Sequence, residues 1–271
     1  MIEELFDIER IAYRDSPVHR LDARVKVIIT VAAILAIVAF PYSAGVYVVG
    51  GIFFLYCAGL WAAAGVPPRI YFMRLLLILP FGIFIILFQI FFENPYYAVF
   101  HPIVELPLGV RIFAESVEFA AILGVKFLVC VSFVILLSST TKMQDLLEGA
   151  GRLGMPAEFT LVLGMMIRYL FVFAGMYRRI KNALDTRCFD AFDSSLPYRY
   201  RLRELSYTIG TVFIRSFEQG ERTYTSMLCR GYGRGSHLFI TKKPLRMGEW
   251  LLLGGTIAYF TGTAIGGFVL L

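Results

Sequence analysis

The 271 residues are 58% hydrophobic and only 17% charged, with a mean hydropathy of +0.70 and a formal net charge of +6. Soluble domains run at about 45–50% apolar and about 25% charged, so this composition excludes a disordered chain, a collagen and a disulfide scaffold and points to a membrane. Cys57, Cys130, Cys188 and Cys229 lie far apart with no metal-ligand spacing, and His19, His101 and His237 are scattered.

A helix crosses the hydrocarbon core with about 20 apolar residues. Val25–Phe40 is slightly short and carries Lys26 at its edge, where a lysine can snorkel. Pro41-Tyr42-Ser43 breaks it, and Ala44–Ala64 follows with no charge. Tyr71–Phe92 contains Arg74 near its start and Pro80 inside, tolerated where neighbours satisfy the freed carbonyl. A fourth span runs over Ala120–Leu137 and a last over Trp250–Leu271. The expected fold is therefore an all-α integral membrane protein with about five spans. The first 24 residues are charged and the following apolar run lacks a cleavage site, so no signal peptide is expected.

Phe159–Tyr177 is long enough to cross but holds Arg168 near its centre. Crossing would move residues 178–246, with 14 of the 26 Lys and Arg, to the other side, against the rule that basic residues near span ends stay cytoplasmic. Long domains can escape that rule, so a crossing stays open as the alternative. With five spans the charges sort. Arg10, Arg14, Arg20, Arg24 and Lys26 lie in the N-terminal arm, Arg69 and Arg74 in the second loop, and only Arg111 in the outer loop 93–111. The expected organisation is 1–138 for the arm and four spans, 139–248 for a cytoplasmic domain, and 249–271 for the final span. The N-terminus is inside and the C-terminus outside.

The 139–248 domain reads as helical hairpins. Thr140 or Thr141 caps a helix over Lys142–Leu153, stopped by Gly154 and Pro156. A second helix begins near Pro156 or Ala157 and places Tyr169, Phe173, Met176, Ile180 and Leu184 on one face. After a break over Phe189–Tyr200, a third aligns Phe213, Phe217, Gly220, Tyr224 and Met227 and ends at Gly231-Tyr232-Gly233-Arg234-Gly235. The region 138–248 holds 17 basic and 9 acidic residues. Such a helix pair rests on anionic headgroups or serves as a protein docking platform, and composition alone favours the former.

Both long helices end in an arginine between small residues, Thr186-Arg187-Cys188 and Cys229-Arg230-Gly231. Small neighbours let a helix end enter a groove, and arginine offers a planar five-donor fork. Each arginine alone reads first as a cation offsetting the helix dipole, and their occurrence at equivalent ends of two adjacent helices weighs against that. Lys126 lies inside the fourth span, with Glu115 and Glu118 near its outer end. Glu118 and Lys126 either mark an ion path or balance charge between neighbouring spans, and the second reading is favoured. Several glycines, Gly50, Gly51, Gly59, Gly254, Gly255, Gly266 and Gly267, permit close helix contacts within the chain or with another subunit.

Paired cytoplasmic helices ending in Ala-Arg-Gly or Ala-Arg-Ser mark the transmembrane T component of energy-coupling factor (ECF) transporters, the EcfT/CbiQ family, and this chain resembles it over most of its length. Ile8–Tyr13 and Ser16–Lys26 look like the N-terminal arm of its cobalt-type branch. Ser139-Thr140-Thr141 with Leu153-Gly154-Met155-Pro156 is similar to its linker helix, and Arg222–Tyr232 to the segment around its second coupling motif. The departures are Thr186 and Cys229 for Ala and Cys188 for Gly or Ser, all small.

The resemblance implies a subunit that couples two ABC-type ATPases on the cytoplasmic face to a separate substrate-binding membrane subunit, for cobalt uptake in a prokaryotic plasma membrane. Thr186, Arg187, Cys188, Cys229, Arg230 and Gly231 would be its ATPase-coupling residues. Nickel or a vitamin is the alternative cargo, and a stand-alone secondary carrier the alternative from another class. The chain has no phosphate-binding Gly-x-x-x-x-Gly-Lys-Ser/Thr loop and no His-Glu-x-x-His, so no enzymatic activity and no cofactor of its own are expected. ATP and Mg²⁺ would sit on the partner ATPases. No nucleic acid partner is expected.

Overall fold

The computed structural model describes residues 16–89, 102–105, 111–190, 196–233 and 245–269. Ile8–Tyr13, Glu93, His101, Arg234 and Gly235 lie outside the described residues. In chain order the elements are α1 (Ala23–Ala39), α2 (Gly45–Ala64), α3 (Pro68–Gln89), β1 (Pro102–Glu105), β2 (Arg111–Phe113), α4 (Ala114–Thr140), α5 (Met143–Arg152), α6 (Ala157–Asp185), α7 (Tyr198–Cys229) and α8 (Met247–Val269). Among the described residues the fold is all-helical apart from one short hairpin. In it β1 and β2 pair antiparallel, Glu105 opposite Arg111 and Val104 opposite Ile112, where the sequence suggested only an outer loop.

Two compact units emerge. The first holds the described residues up to Gly149 together with those from Leu245 onward, and the second holds the described residues from Ala150 to Gly233.

In the first unit the breakers fall where the sequence puts them. Asp22 caps α1, its Oδ1 accepting from Arg24 N at 3.0 Å, and Pro41 follows the helix. Gly65 ends α2 in the left-handed conformation, φ 65°, which costs a residue without Cβ nothing. The core is built by helical periodicity. Val25, Ile29, Ala33 and Ile37 form one stripe of α1, and Val46, Val49, Phe53 and Cys57 one stripe of α2. Phe260 of α8 is buried at their meeting point, with its ring 4.7 Å from Phe53 and 5.9 Å from Phe133 of α4. In α3 only Gly82 is buried, and Phe72, Leu76, Leu77, Phe81 and Phe84 face outward, as on a lipid-facing helix.

The contacts sort the glycines named from sequence. A Cβ on Gly50 would lie 2.6 Å from Val125, and one on Gly267 2.7 Å from Val49, so both let helices of this chain approach closely. Around Gly51, Gly59, Gly254, Gly255 and Gly266 the space is open. Gly82, not singled out in the sequence, faces the Phe127 ring so closely that a Cβ would fall 2.2 Å from it.

Four described helices are long and apolar enough to cross a membrane: Gly45–Ala64, Pro68–Gln89, Glu115–Thr140 and Ala157–Asp185. Three are the expected second to fourth spans. The other is α6, which the charge count kept out of the membrane. Its apolar stretch stops at Tyr177, and its last turns carry Arg178, Arg179 and Lys181. Of the remaining expected spans, α1 is 17 residues long and α8 is 23. The protein is membrane-embedded.

Candidate functional site

Thr186, Arg187, Cys188, Cys229, Arg230 and Gly231 all lie in the second unit and are all exposed, three at the end of α6 and three at the end of α7. The turns that hold them are made by the backbone. At the end of α6, Phe189 N donates to Leu184 O at 3.1 Å and Cys188 N to Asp185 O at 3.0 Å, the two bonds of a Schellman motif. At the end of α7, Tyr232 N donates to Met227 O at 3.0 Å and Gly231 N to Leu228 O at 3.0 Å. The two ends therefore match position by position. Leu184 pairs with Met227, Thr186 with Cys229, Arg187 with Arg230, Cys188 with Gly231, and Phe189 with Tyr232. The left-handed position is Cys188 at φ 56° in one and Gly231 at φ 85° in the other. An L residue there costs about 1–2 kcal/mol, which the α6 motif carries at Cys188.

A third helix shows what the arginines are not for. Helix α5 ends in the same motif, Met155 N on Ala150 O at 3.3 Å and Gly154 N on Gly151 O at 3.4 Å, with Gly154 at φ 115°. The residue in the arginine position there is Leu153, so the turn closes without a cation. At α6 the Thr186 hydroxyl also covers a terminal carbonyl, donating to Ala183 O at 2.9 Å. Among the described residues neither the Arg187 nor the Arg230 guanidinium has a hydrogen-bond or ion-pair partner. Two exposed forks thus leave equivalent backbone positions, each with donors to offer carboxylates or carbonyls.

The two helices are joined within their unit. The Tyr169 hydroxyl of α6 lies 2.6 Å from Thr223 Oγ1 of α7, and Thr223 already donates to Gln219 O at 2.7 Å, so Tyr169 is the donor. Tyr169, Phe173, Met176, Ile180 and Leu184, one face by periodicity, are all partly covered. On α7 the covered side is the polar one, with Thr208 buried and Ser216, Gln219 and Thr223 partly so. Phe213, Phe217 and Tyr224 are 58–70% exposed, so the apolar face of α7 is left open.

Inside the first unit three cations, Lys26, Arg74 and Lys126, are engaged. Lys126 Nζ donates to Phe40 O at 2.5 Å and Val38 O at 3.3 Å, and stands 4.1 Å from the Tyr42 ring centroid. It covers the carbonyls left over at the end of α1, while Glu118 stays exposed on α4. Lys26 does the reciprocal service, donating to Thr140 O at the end of α4 at 2.8 Å. Arg74 Nη1 donates to Ser139 Oγ at 2.7 Å. Between α2, α3 and α4 an apolar groove of about 510 Å³ is lined by Gly51, Phe54, Leu75, Leu79, Ile83 and others, with no carboxylate, imidazole or thiol among them. Among the described residues no three of His, Cys, Asp and Glu group as a metal site.

Comparison with known proteins now decides the family. The family described as "CbiQ: Cobalt transport protein" matches residues 14–239. The chain belongs to that family. It is therefore a membrane component of a transport family. An uncharacterized protein of Methanocaldococcus jannaschii is 26% identical over 226 residues, covering 83% of this chain and 80% of the relative. A second from that organism is 25% identical over 126 residues, 46% of this chain and 42% of the relative. The energy-coupling factor transporter transmembrane protein EcfT of Exiguobacterium sibiricum is 28% identical over 148 residues, 52% of this chain and 54% of that protein. Two of these matches thus span about half the relative's length or less.

Proposed function

We propose that this chain is the transmembrane coupling subunit of an ECF-type importer. The observation that carries the reading is the matched pair of exposed arginines, Arg187 and Arg230, at one position of one motif on two adjoining helices. Family membership and the EcfT relative support it. In this reading Thr186, Arg187 and Cys188 seat one ABC-type ATPase, and Cys229, Arg230 and Gly231 seat a second. The small residues let each helix end enter its groove, and each guanidinium locks it there by paired hydrogen bonds. ATP and Mg²⁺ are bound on the ATPases, whose closure moves α6 and α7, and the chain itself is not an enzyme. A separate membrane subunit binds the cargo, proposed as Co²⁺ from the family description. The membrane is the prokaryotic plasma membrane, with residues 139–248 and the N-terminus cytoplasmic and the C-terminus outside.

The stand-alone carrier finds less support, because the Lys126 ammonium that would serve an ion path is taken up by the Val38 and Phe40 carbonyls. The test is uptake of Co²⁺ by cells expressing the chain with its native partners, with Ni²⁺ and vitamins assayed in parallel. Arg187→Glu/Arg230→Glu is expected to lower uptake by roughly 100-fold or more, the scale of losing charged anchors at an interface. Near-normal uptake by the double variant sinks the coupling reading, and uptake of Ni²⁺ or a vitamin instead of Co²⁺ reassigns the cargo.

A further inference from the structure

Among the described residues the chain leaves the first unit through Thr141–Gly149 and is back in it at Leu245–Glu249. Both segments are fastened to the same turn of α1. On the way out, Lys26, 8% exposed, donates through Nζ to Thr140 O at 2.8 Å and to His19 O at 3.1 Å. Seven residues into α5, Gly149 packs so closely on α1 that a Cβ there would lie 3.2 Å from Ala23 Cβ and 3.3 Å from Arg24 N. On the way back, Glu249 divides its carboxylate. Oε2 accepts from Arg246 N at 2.9 Å, an ordinary capping bond at the start of α8. Oε1 accepts from Asp22 N at 3.1 Å, a residue 227 positions away that α8 does not need for its cap.

A lysine removed from bulk water, as Lys26 is, forms stronger bonds than it would in it, and breaking them leaves a buried charge uncompensated. Glu249 is half-covered and adds a charge-assisted bond to a backbone N–H. The turn Asp22–Lys26 is thus held from both connections at once, and α1 in turn supplies a full stripe of the unit's core. Another lysine of the first unit, Lys126, bonded to Phe40 O, ties the far end of the same helix to α4.

We propose that the first turn of α1 is the transmission joint of the coupling subunit, with Lys26 and Glu249 as positioning residues that make both connections move with α1. The inference rests on the coupling reading above. Displacement of the second unit then reaches α1 and α4 together, and reaches α3 through α4, by the Arg74–Ser139 and Tyr71–Ser132 bonds.

The experiment uses the complex purified from native membrane with whatever ATPases accompany it, and follows hydrogen–deuterium exchange before and after adding MgATP. In the wild type, exchange at Asp22–Lys26 is expected to change with nucleotide. In Lys26→Met that change is expected to fall by about fivefold, a typical coupling term, while the change within residues 150–233 persists. Lys26→Arg, which keeps a cationic donor, restores it. Glu249→Gln, which keeps the side-chain volume but loses one of the two acceptor oxygens, behaves like Lys26→Met and supplies the readout if that variant does not fold. A nucleotide response at Asp22–Lys26 that is absent in the wild type, or equal in wild type and both variants, overturns the joint while leaving the ATPase docking intact. A wild-type complex that carries no ATPase overturns the coupling reading itself, and the joint with it.

Discussion

The core of the first unit and the helix ends of the second put their cations to opposite uses. In the first, Lys26, Arg74 and Lys126 each turn inward and satisfy a carbonyl or a hydroxyl of a neighbouring helix. In the second, Arg187 and Arg230 stand exposed at helix ends whose carbonyls the backbone has already closed. The difference follows from the surroundings. A cation inside a membrane unit is expensive unless it is bonded, so there it becomes part of the scaffold. A cation on an exposed turn costs little to keep unbonded, and the α5 end, with Leu153 in the same position, shows that the turn does not require one.

Substitution separates the two uses, and the largest stability effect belongs to the first unit. Lys126→Met is expected to cost about 3 kcal/mol, since it strips the donor from the buried Phe40 carbonyl and the part-buried Val38 carbonyl. Thermal unfolding of the detergent-solubilised protein measures it, and Arg187→Ala or Arg230→Ala is expected to leave the same melting temperature in place. A destabilised arginine variant would mean those side chains serve the scaffold after all.

Gly82→Leu comes next, at about 1–3 kcal/mol, because the Phe127 ring must give way against α4. The same change at Gly255, where the space is open, is expected to leave unfolding unaltered. Tyr169→Phe is smaller again. It deletes the bond to Thr223 and is expected to cost about 1 kcal/mol, read as earlier proteolysis between α6 and α7. The smallest effect sharpens the match between the two arginine turns. Cys188→Gly removes that left-handed strain, less the greater freedom glycine loses on folding, for a net gain of up to about 1 kcal/mol. It also brings the α6 turn to the glycine of the α7 turn, so uptake is expected to be unchanged while unfolding shifts slightly upward.

Much of this was legible in the sequence because it is local. Gly65, Gly154 and Gly231 stop helices where a residue without Cβ can turn left-handed, and each does so in the structure. The hydrophobic runs gave helix bounds within a few residues, except that α4 extends from Ala114 rather than Ala120, its first turns being polar enough to hide it. The equivalence of the arginine turns was half visible. The small-Arg-small triplets stand out, while the aromatic two places on, Phe189 and Tyr232, completes the pattern only once the backbone bonds are known.

What escaped is what depends on distant partners. The acceptors of Lys126 are backbone carbonyls 86 and 88 residues away, which have no residue type to betray them. Glu249 reads as a capping glutamate, and nothing in its neighbourhood signals its second bond to Asp22. Gly149 and Gly82 matter for what faces them, not for their local pattern. The β1–β2 hairpin was within reach, since Ile103-Val104 and Ile112-Phe113 flank Pro107 and Gly109, but membrane arithmetic treats such a stretch as loop.

The most direct test of the central claim is a pull-down of the tagged chain from detergent-solubilised native membrane, wild type beside Arg187→Glu/Arg230→Glu, with mass spectrometry of what accompanies it. The account predicts two ABC-type ATPases and a membrane subunit with the wild type, and loss of the ATPases alone from the double variant. Recovery of the same ATPases with both forms, or of the chain alone in both, contradicts it and returns the two arginines to the role of exposed helix ends.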